Sequence, residues 1–269
     1  MFFWPHWYLQ TGGITIRNLF QNLENSFPSR FQSIVISKKS EWKRRKRQLH
    51  KYFLGAAPSR VIYIELHGGG DDFSYWQHQR DKLSEWRSLA RTRGIPFLSL
   101  TLVRRPVEHA LSHFNFYHTM SSKDRRGRAH ARRFHQVNMA NEENLKEHLI
   151  PNAQCLFLTR GEAAYETRYQ STKPTLPDTE CLSVFESVRD NFDWIGTTER
   201  LSFTTLPLLR TALRISNATK TETHANSNLD DNRLMWGNMS FSTQTFIKTW
   251  TTYDSKLYNH ARTQESAWE

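Results

Sequence analysis

Arg104 and Ser112 have the types and the spacing to hold a phosphate. A guanidinium offers a planar fork to two oxygens, and a hydroxyl offers a neutral donor to a third. Both follow the apolar run 97–103, which is too short for an exposed helix and reads as a buried parallel strand. Pro106 then stands where a first helical residue belongs: its fixed φ suits a helix start, and its missing N–H is not needed there. Val107, Ala110, Leu111 and Phe114 continue at helical spacing. Arg104 is therefore expected at the carboxyl end of a strand, with Ser112 about two turns into the next helix. Ligands of open α/β sheets bind at that end. A solvated arginine and a helix-surface serine remain the competing reading.

Two further strand ends carry residues of chemical interest. Gln10-Thr11-Gly12-Gly13-Ile14-Thr15 joins an apolar first strand to the helical pattern Ile16, Leu19, Phe20, Leu23 and Phe27. Strand, glycine turn and helix present backbone N–H groups and a helix N-terminus to a phosphate. The Gly-x-x-x-x-Gly-Lys-Ser/Thr spacing of a Walker A loop is absent, and a tight strand-to-helix connection explains the turn equally well. His67 heads the run Gly68-Gly69-Gly70 after a third strand. A histidine there suits a general base, and it equally suits a cap on the following helix.

The whole chain bounds these readings. Its 269 residues fit one large domain, and the abundance of Trp, Tyr and Phe marks a globular protein. The formal net charge of +11 points to an anionic partner: nucleic acid, acidic polysaccharide, a membrane surface or a polyphosphate. Residues 38–51 concentrate that charge, either as a solvated helix or as a polyanion-binding face. Cys155 and Cys181 form no Cys-x-x-Cys pair, which excludes a zinc cluster and a disulfide scaffold. No run approaches the roughly 18–20 apolar residues of a membrane span. Residues 1–9 lack a basic start and a small-residue cleavage site, so they read as a strand and not as a signal peptide. Asn217-Ala218-Thr219 and Asn238-Met239-Ser240 are glycosylation sequons.

The elements that must position these residues follow from periodicity. Strands are expected over 2–9, 31–37, 60–66 and 97–103, with a strand or extended segment over 154–159 and a strand and turn over 193–200. Helices are expected over 16–27, 75–93 with Gly94 as cap, 106–114, 141–149, 178–192, 201–215, and from Ser242 to the end. Loops fill 121–133, 165–177 and 216–238. The fold class is α/β: a mostly parallel sheet with helices on both faces, in one domain over 1–269.

With both turns in place, the sequence resembles the P-loop-like sulfotransferases that use 3′-phosphoadenosine 5′-phosphosulfate. It is most similar to their carbohydrate branch, which includes heparan sulfate 2-O-sulfotransferase, and to algal relatives. The family's 5′-phosphosulfate loop reads Lys-Thr-Gly-Gly-Thr-Ser/Thr-Leu; residues 10–16 read Gln-Thr-Gly-Gly-Ile-Thr-Ile. Its 3′-phosphate motif reads Arg-Asp/Glu-Pro-x-x-Arg-x-x-Ser; residues 104–112 read Arg-Arg-Pro-Val-Glu-His-Ala-Leu-Ser. Weaker echoes follow in order at 151–155, 195–200 and 253–258.

The resemblance implies a single P-loop-like domain that moves a sulfuryl group from that donor to an acceptor hydroxyl, on an anionic or neutral glycan, without a metal. It implies that Gln10, Thr11, Gly12, Gly13, Ile14 and Thr15 cradle the 5′-phosphate, that Arg104 and Ser112 hold the 3′-phosphate, and that His67, or failing it Glu65, is the base. It also implies the Golgi lumen, where members carry an upstream anchor; this chain starts almost at the loop. Three positions depart from the family. Gln10 replaces the loop lysine, Arg105 replaces the acidic residue, and His109 replaces the second arginine. Lys38, Lys39 and Arg105 are the cations that could substitute for that lysine. Gln10 supports a second reading, a weak or inactive relative that binds nucleotide or acidic glycan. The charge, with its run at Lys43–Arg47, supports a third, a nucleic-acid-binding protein.

Overall fold

A computed structural model of the chain describes residues 2–7, 13–36, 39–54, 61–68, 75–118, 141–155, 186, 188–215 and 234–268. Five strands lie in them: β1 (Phe2–Trp7), β2 (Phe31–Ile36), β3 (Val61–Gly68), β4 (Leu98–Val103) and β5 (Trp194–Thr197). All pairs are parallel, in the order β2-β3-β1-β4-β5. The helices are α1 (Gly13–Ser26), α2 (Lys39–Leu54), α3 (Tyr75–Thr92), α4 (Pro106–His118), α5 (Glu142–His148), α6 (Thr205–Leu213), α7 (Phe241–Trp250) and α8 (Thr252–Trp268). The expected loops over 121–133 and 165–177, and the helix start at Asp178, lie outside the described residues.

Side-chain alternation along the strands builds two apolar layers. Tyr63, Leu100, Leu102 and Trp194 face α1 and α6, where Ile16, Leu19, Phe20, Leu23, Leu206 and Leu209 are buried. The Phe20 and Tyr63 rings stack at 4.1 Å. Ile34, Ile36, Ile62, Ile64 and Ile195 face Leu49 of α2, Leu83 and Trp86 of α3, and Leu257 and Ala261 of α8. Strands covered on both faces read as nearly continuous apolar runs, which is why they were visible in the sequence. A third cluster joins α4, α5 and α7 through Ala110, Phe114, Leu145 and Ile247.

Several local expectations hold. Pro106 opens α4, Asn141 caps α5 by accepting from the Asn144 N–H at 2.8 Å, and Gly94 follows α3 at φ 62°. On α2, Leu49 is buried while Arg44, Arg47 and Lys51, three and four residues apart, form an exposed basic stripe.

Three expectations are corrected. Residues 153–155 form a helical turn and not the start of a strand over 154–159, because the N–H groups of Gln154 and Cys155 both bend onto the Asp254 carboxylate. The cap of α7 is Ser240 and not Ser242: the Ser240 hydroxyl accepts from the Thr243 N–H, and the Glu142 carboxylate holds Ser240 in place. The expected final helix is two helices. Asn152, at φ 47°, enters the break: its N–H donates to the Trp250 carbonyl at 2.7 Å, and its side-chain oxygen accepts from the Tyr253 and Asp254 N–H groups. One asparagine thus serves orphan groups at the end of α7 and the start of α8.

Candidate functional site

The strand order creates a topological switch point between β1 and β4. The connection through α1 leaves β1 toward β2, and the chain leaves β4 toward β5 on the opposite side. Crevices of open α/β sheets lie outside the carboxyl ends of such strands. The two ladders of β1 differ in length. Its ladder with β3 runs from Phe2↔Tyr63 to Trp7↔Gly68, whereas its ladder with β4 holds only Phe2↔Leu98 and Phe3↔Ser99. Pairing with β4 thus stops before Pro5, whose ring has no N–H to give a ladder. Beyond that point no pairing joins β1 to β4, on the side where Gly13 begins α1 and where Arg104 follows β4.

Arg104 is half-buried there, and its Nε lies 4.0 Å from Glu108 Oε2. Arg105 is held more tightly. Its Nη1 donates to Glu108 Oε1 at 2.6 Å, its guanidinium hydrogen-bonds the Tyr258 hydroxyl, and its backbone N–H donates to Glu199 Oε1 at 2.8 Å. The Arg105 guanidinium thus has Glu108 and Tyr258 as partners, while Glu199 holds its backbone. Ser112 is half-buried on α4, four residues after Glu108, so Glu108 and Ser112 share one helix face. His109 is 2% exposed, and its Nδ1 has no hydrogen-bond partner among the described residues. Burial, helped by the Arg104 charge, pushes its pKa down to about 3. His109 is therefore neutral at physiological pH and brings no cation to this helix.

Behind Arg104 lies a buried polar network. The Gln154 side-chain amide accepts from the Arg104 N–H at 2.8 Å and donates to the Arg104 carbonyl at 2.9 Å. The Gln154 N–H donates to Asp254 Oδ2 at 3.0 Å, and the Cys155 N–H donates to Asp254 Oδ1 at 2.8 Å. A second carboxylate of α8, Glu265, accepts from the Thr197 N–H at 2.7 Å and from the Thr204 hydroxyl at 3.0 Å, tying α8 to the end of β5. Between them, Gly196 leaves no space: a Cβ there would lie 2.3 Å from Thr205 Oγ1 and 2.9 Å from Leu102 Cδ2.

Asp254 carries a testable pH dependence. Burial pushes its carboxyl up to about 6 from 3.8, against the pull of the two backbone N–H donors. A carboxyl raised in the folded state contributes stability that is fully present below the unfolded value and is lost as pH rises through the folded one. The stability advantage of wild type over Asp254→Asn should therefore shrink between about pH 4 and pH 7. Urea unfolding of both proteins across that range checks it, and a flat difference contradicts a titrating Asp254.

The residues singled out in the sequence divide into three groups. Arg104 lies between β4 and α4, and Ser112 lies on α4 six residues after its first residue. Gly13, Ile14 and Thr15 form the first turn of α1 beside β1, with Thr15 buried; Gln10, Thr11 and Gly12 lie outside the described residues. Glu65 and His67 lie in β3, in register with Trp4 and His6 of β1. Their strand adjoins the switch-point strand on the side away from Arg104. Sequence reasoning assigned no role to Asn152, Gln154, Glu199, Asp254 or Tyr258. Their signal was the order of the three weaker echoes, which the fold gathers around Arg104 and Arg105. Among the described residues, no group of three His, Cys, Asp or Glu side chains could hold a metal ion, and no helix is long and apolar enough to cross a membrane. No protein-family model matches the sequence, and no curated protein matches it.

Proposed function

We propose that this chain is a P-loop-like sulfotransferase, one domain over 1–269, that moves a sulfuryl group from 3′-phosphoadenosine 5′-phosphosulfate to a carbohydrate hydroxyl. The observation that supports this reading is the adjacency of β1 and β4, parallel strands at one switch point, because the sequence stretches 10–15 and 104–112 come after them in the chain. In this reading the turn 10–15 and the start of α1 bind the 5′-phosphate through backbone N–H groups. Arg104 and Ser112 bind the 3′-phosphate. His67 takes the proton of the acceptor hydroxyl, whose oxygen bonds to sulfur as the bond from sulfur to the 5′-phosphate breaks. Adenosine 3′,5′-bisphosphate leaves. The unperturbed imidazole pKa of about 6.5 suits a base near neutral pH. The exposed stripe Arg44, Arg47 and Lys51 favours an anionic acceptor over a neutral one.

Calorimetric titration tests the donor assignment. Arg104→Ala should weaken adenosine 3′,5′-bisphosphate binding by about 1.5–3 kcal/mol, the worth of a charge-assisted hydrogen bond. Adenosine 5′-phosphate, which lacks the group, should bind wild type and variant alike. Equal losses for both nucleotides make Arg104 structural and remove the assignment. Gln10 favours one alternative, a relative that binds nucleotide without turnover. A sulfate-transfer assay over a panel of glycans separates the two.

A further inference from the structure

We infer that Gln154 is the positioning residue for Arg104, and that it thereby sets the preference of the nucleotide site for a 3′-phosphate. This rests on the reading of Arg104 given above. Arg104 directly follows the last residue of β4, where the strand ladder ends among the described residues. The primary amide of Gln154 pairs with its backbone there. It has the donor and acceptor of a peptide group, and it meets both groups of one residue at 2.8 and 2.9 Å.

The amide has little freedom to move. Gln154 is 6% exposed, and turning the amide over would set donor against donor and acceptor against acceptor. Its backbone is fixed in turn, because the N–H groups of Gln154 and Cys155 both donate to the buried Asp254. Asn152 fixes Asp254 by accepting its N–H at 3.3 Å. On the other side, the Thr198 N–H donates to the Val103 carbonyl at 2.9 Å, and Glu199 accepts from the Arg105 N–H. The peptide groups flanking Arg104 are thus held from two directions, by residues about 50 and about 95 positions away in the chain. A guanidinium on a flexible stem discriminates between oxygen positions only if its Cα is held to about 0.5 Å. Gln154 supplies that restraint at Arg104 itself.

The experiment compares Gln154→Leu, which loses both hydrogen bonds, with Gln154→Glu, which can still accept from the Arg104 N–H. Ser99→Ala serves as control. Ser99 bonds Asp193 at the amino end of the sheet, so its loss reduces stability without touching Arg104. Thermal melting ranks the stabilities, and calorimetry measures adenosine 3′,5′-bisphosphate and adenosine 5′-phosphate. The preference for the bisphosphate should fall roughly tenfold in Gln154→Leu, through loss of bisphosphate affinity alone, as for a weakened charge-assisted bond. Gln154→Glu should also lower it, and Ser99→Ala should keep the wild-type ratio. If Gln154→Leu does not fold, Gln154→Glu carries the test. A wild-type ratio in the folded Gln154 variants overturns the inference, as does an equal fall in Ser99→Ala. A wild type with no preference for the bisphosphate overturns the donor reading beneath it, which is a different result.

Discussion

His67→Ala is expected to lower kcat by roughly 10²–10⁴, the usual worth of a general base, while leaving nucleotide affinity unchanged. The expectation combines an assigned role with an observed place. β3 lies directly beside β1 and ends one residue after His67, so the carboxyl edge carries the proposed donor turns on β1 and β4 and the proposed base on the next strand. A base on β3 can serve an acceptor hydroxyl without contacting the 3′-phosphate, which is why binding of adenosine 3′,5′-bisphosphate should survive the substitution. The pH profile gives a second readout: loss of a general base should remove the acid limb of kcat. Full turnover in His67→Ala removes the assignment and makes Glu65, two residues earlier on the same strand, the base to replace.

Gln10→Lys is expected to raise kcat by up to roughly 10²–10³ with little change in acceptor KM. In the proposed reaction the leaving bisphosphate gains negative charge as the sulfuryl group departs, and the sulfotransferases that the sequence resembles carry a lysine at the position of Gln10. A neutral amide can donate a hydrogen bond but brings no charge. The interaction matters most in the transition state, so it should appear in kcat and not in ground-state binding. Of the cations that could substitute, the Arg105 guanidinium is already paired with Glu108 and Tyr258. An unchanged kcat in a variant that binds nucleotide and transfers sulfate means that another cation already acts. No transfer by either protein to any of a wide panel of acceptors, with nucleotide binding intact, favours the non-catalytic relative.

Much of the fold was legible because its causes are local. The apolar run of β4, the alternating, β-branched pattern of β3 and the short stretch of β2 made these strands visible, and β5 lies within the strand and turn expected over 193–200. The helix starts at Pro106 and Asn141 follow from a fixed φ and from a side-chain cap, which act within one turn. Failures came where a distant partner decided. The helix start at Ser240 depends on Glu142, 98 residues earlier, and the break between α7 and α8 depends on Asn152. A pattern of spacings carries no record of either.

By itself the sequence determined that a strand precedes Arg104 and that a helix begins at Pro106, because proline geometry and apolar period are properties of neighbouring residues. Only the tertiary structure decided that β4 lies beside β1 and that pairing between them stops short of Pro5. It also decided that His109 is buried and neutral, that the Arg105 guanidinium meets the Tyr258 hydroxyl, and that Gln154 holds the backbone of Arg104 from a turn anchored on Asp254. Strand order, desolvation and long-range hydrogen bonds arise from contacts between segments 50 to 150 residues apart, and they exist only once the chain has packed.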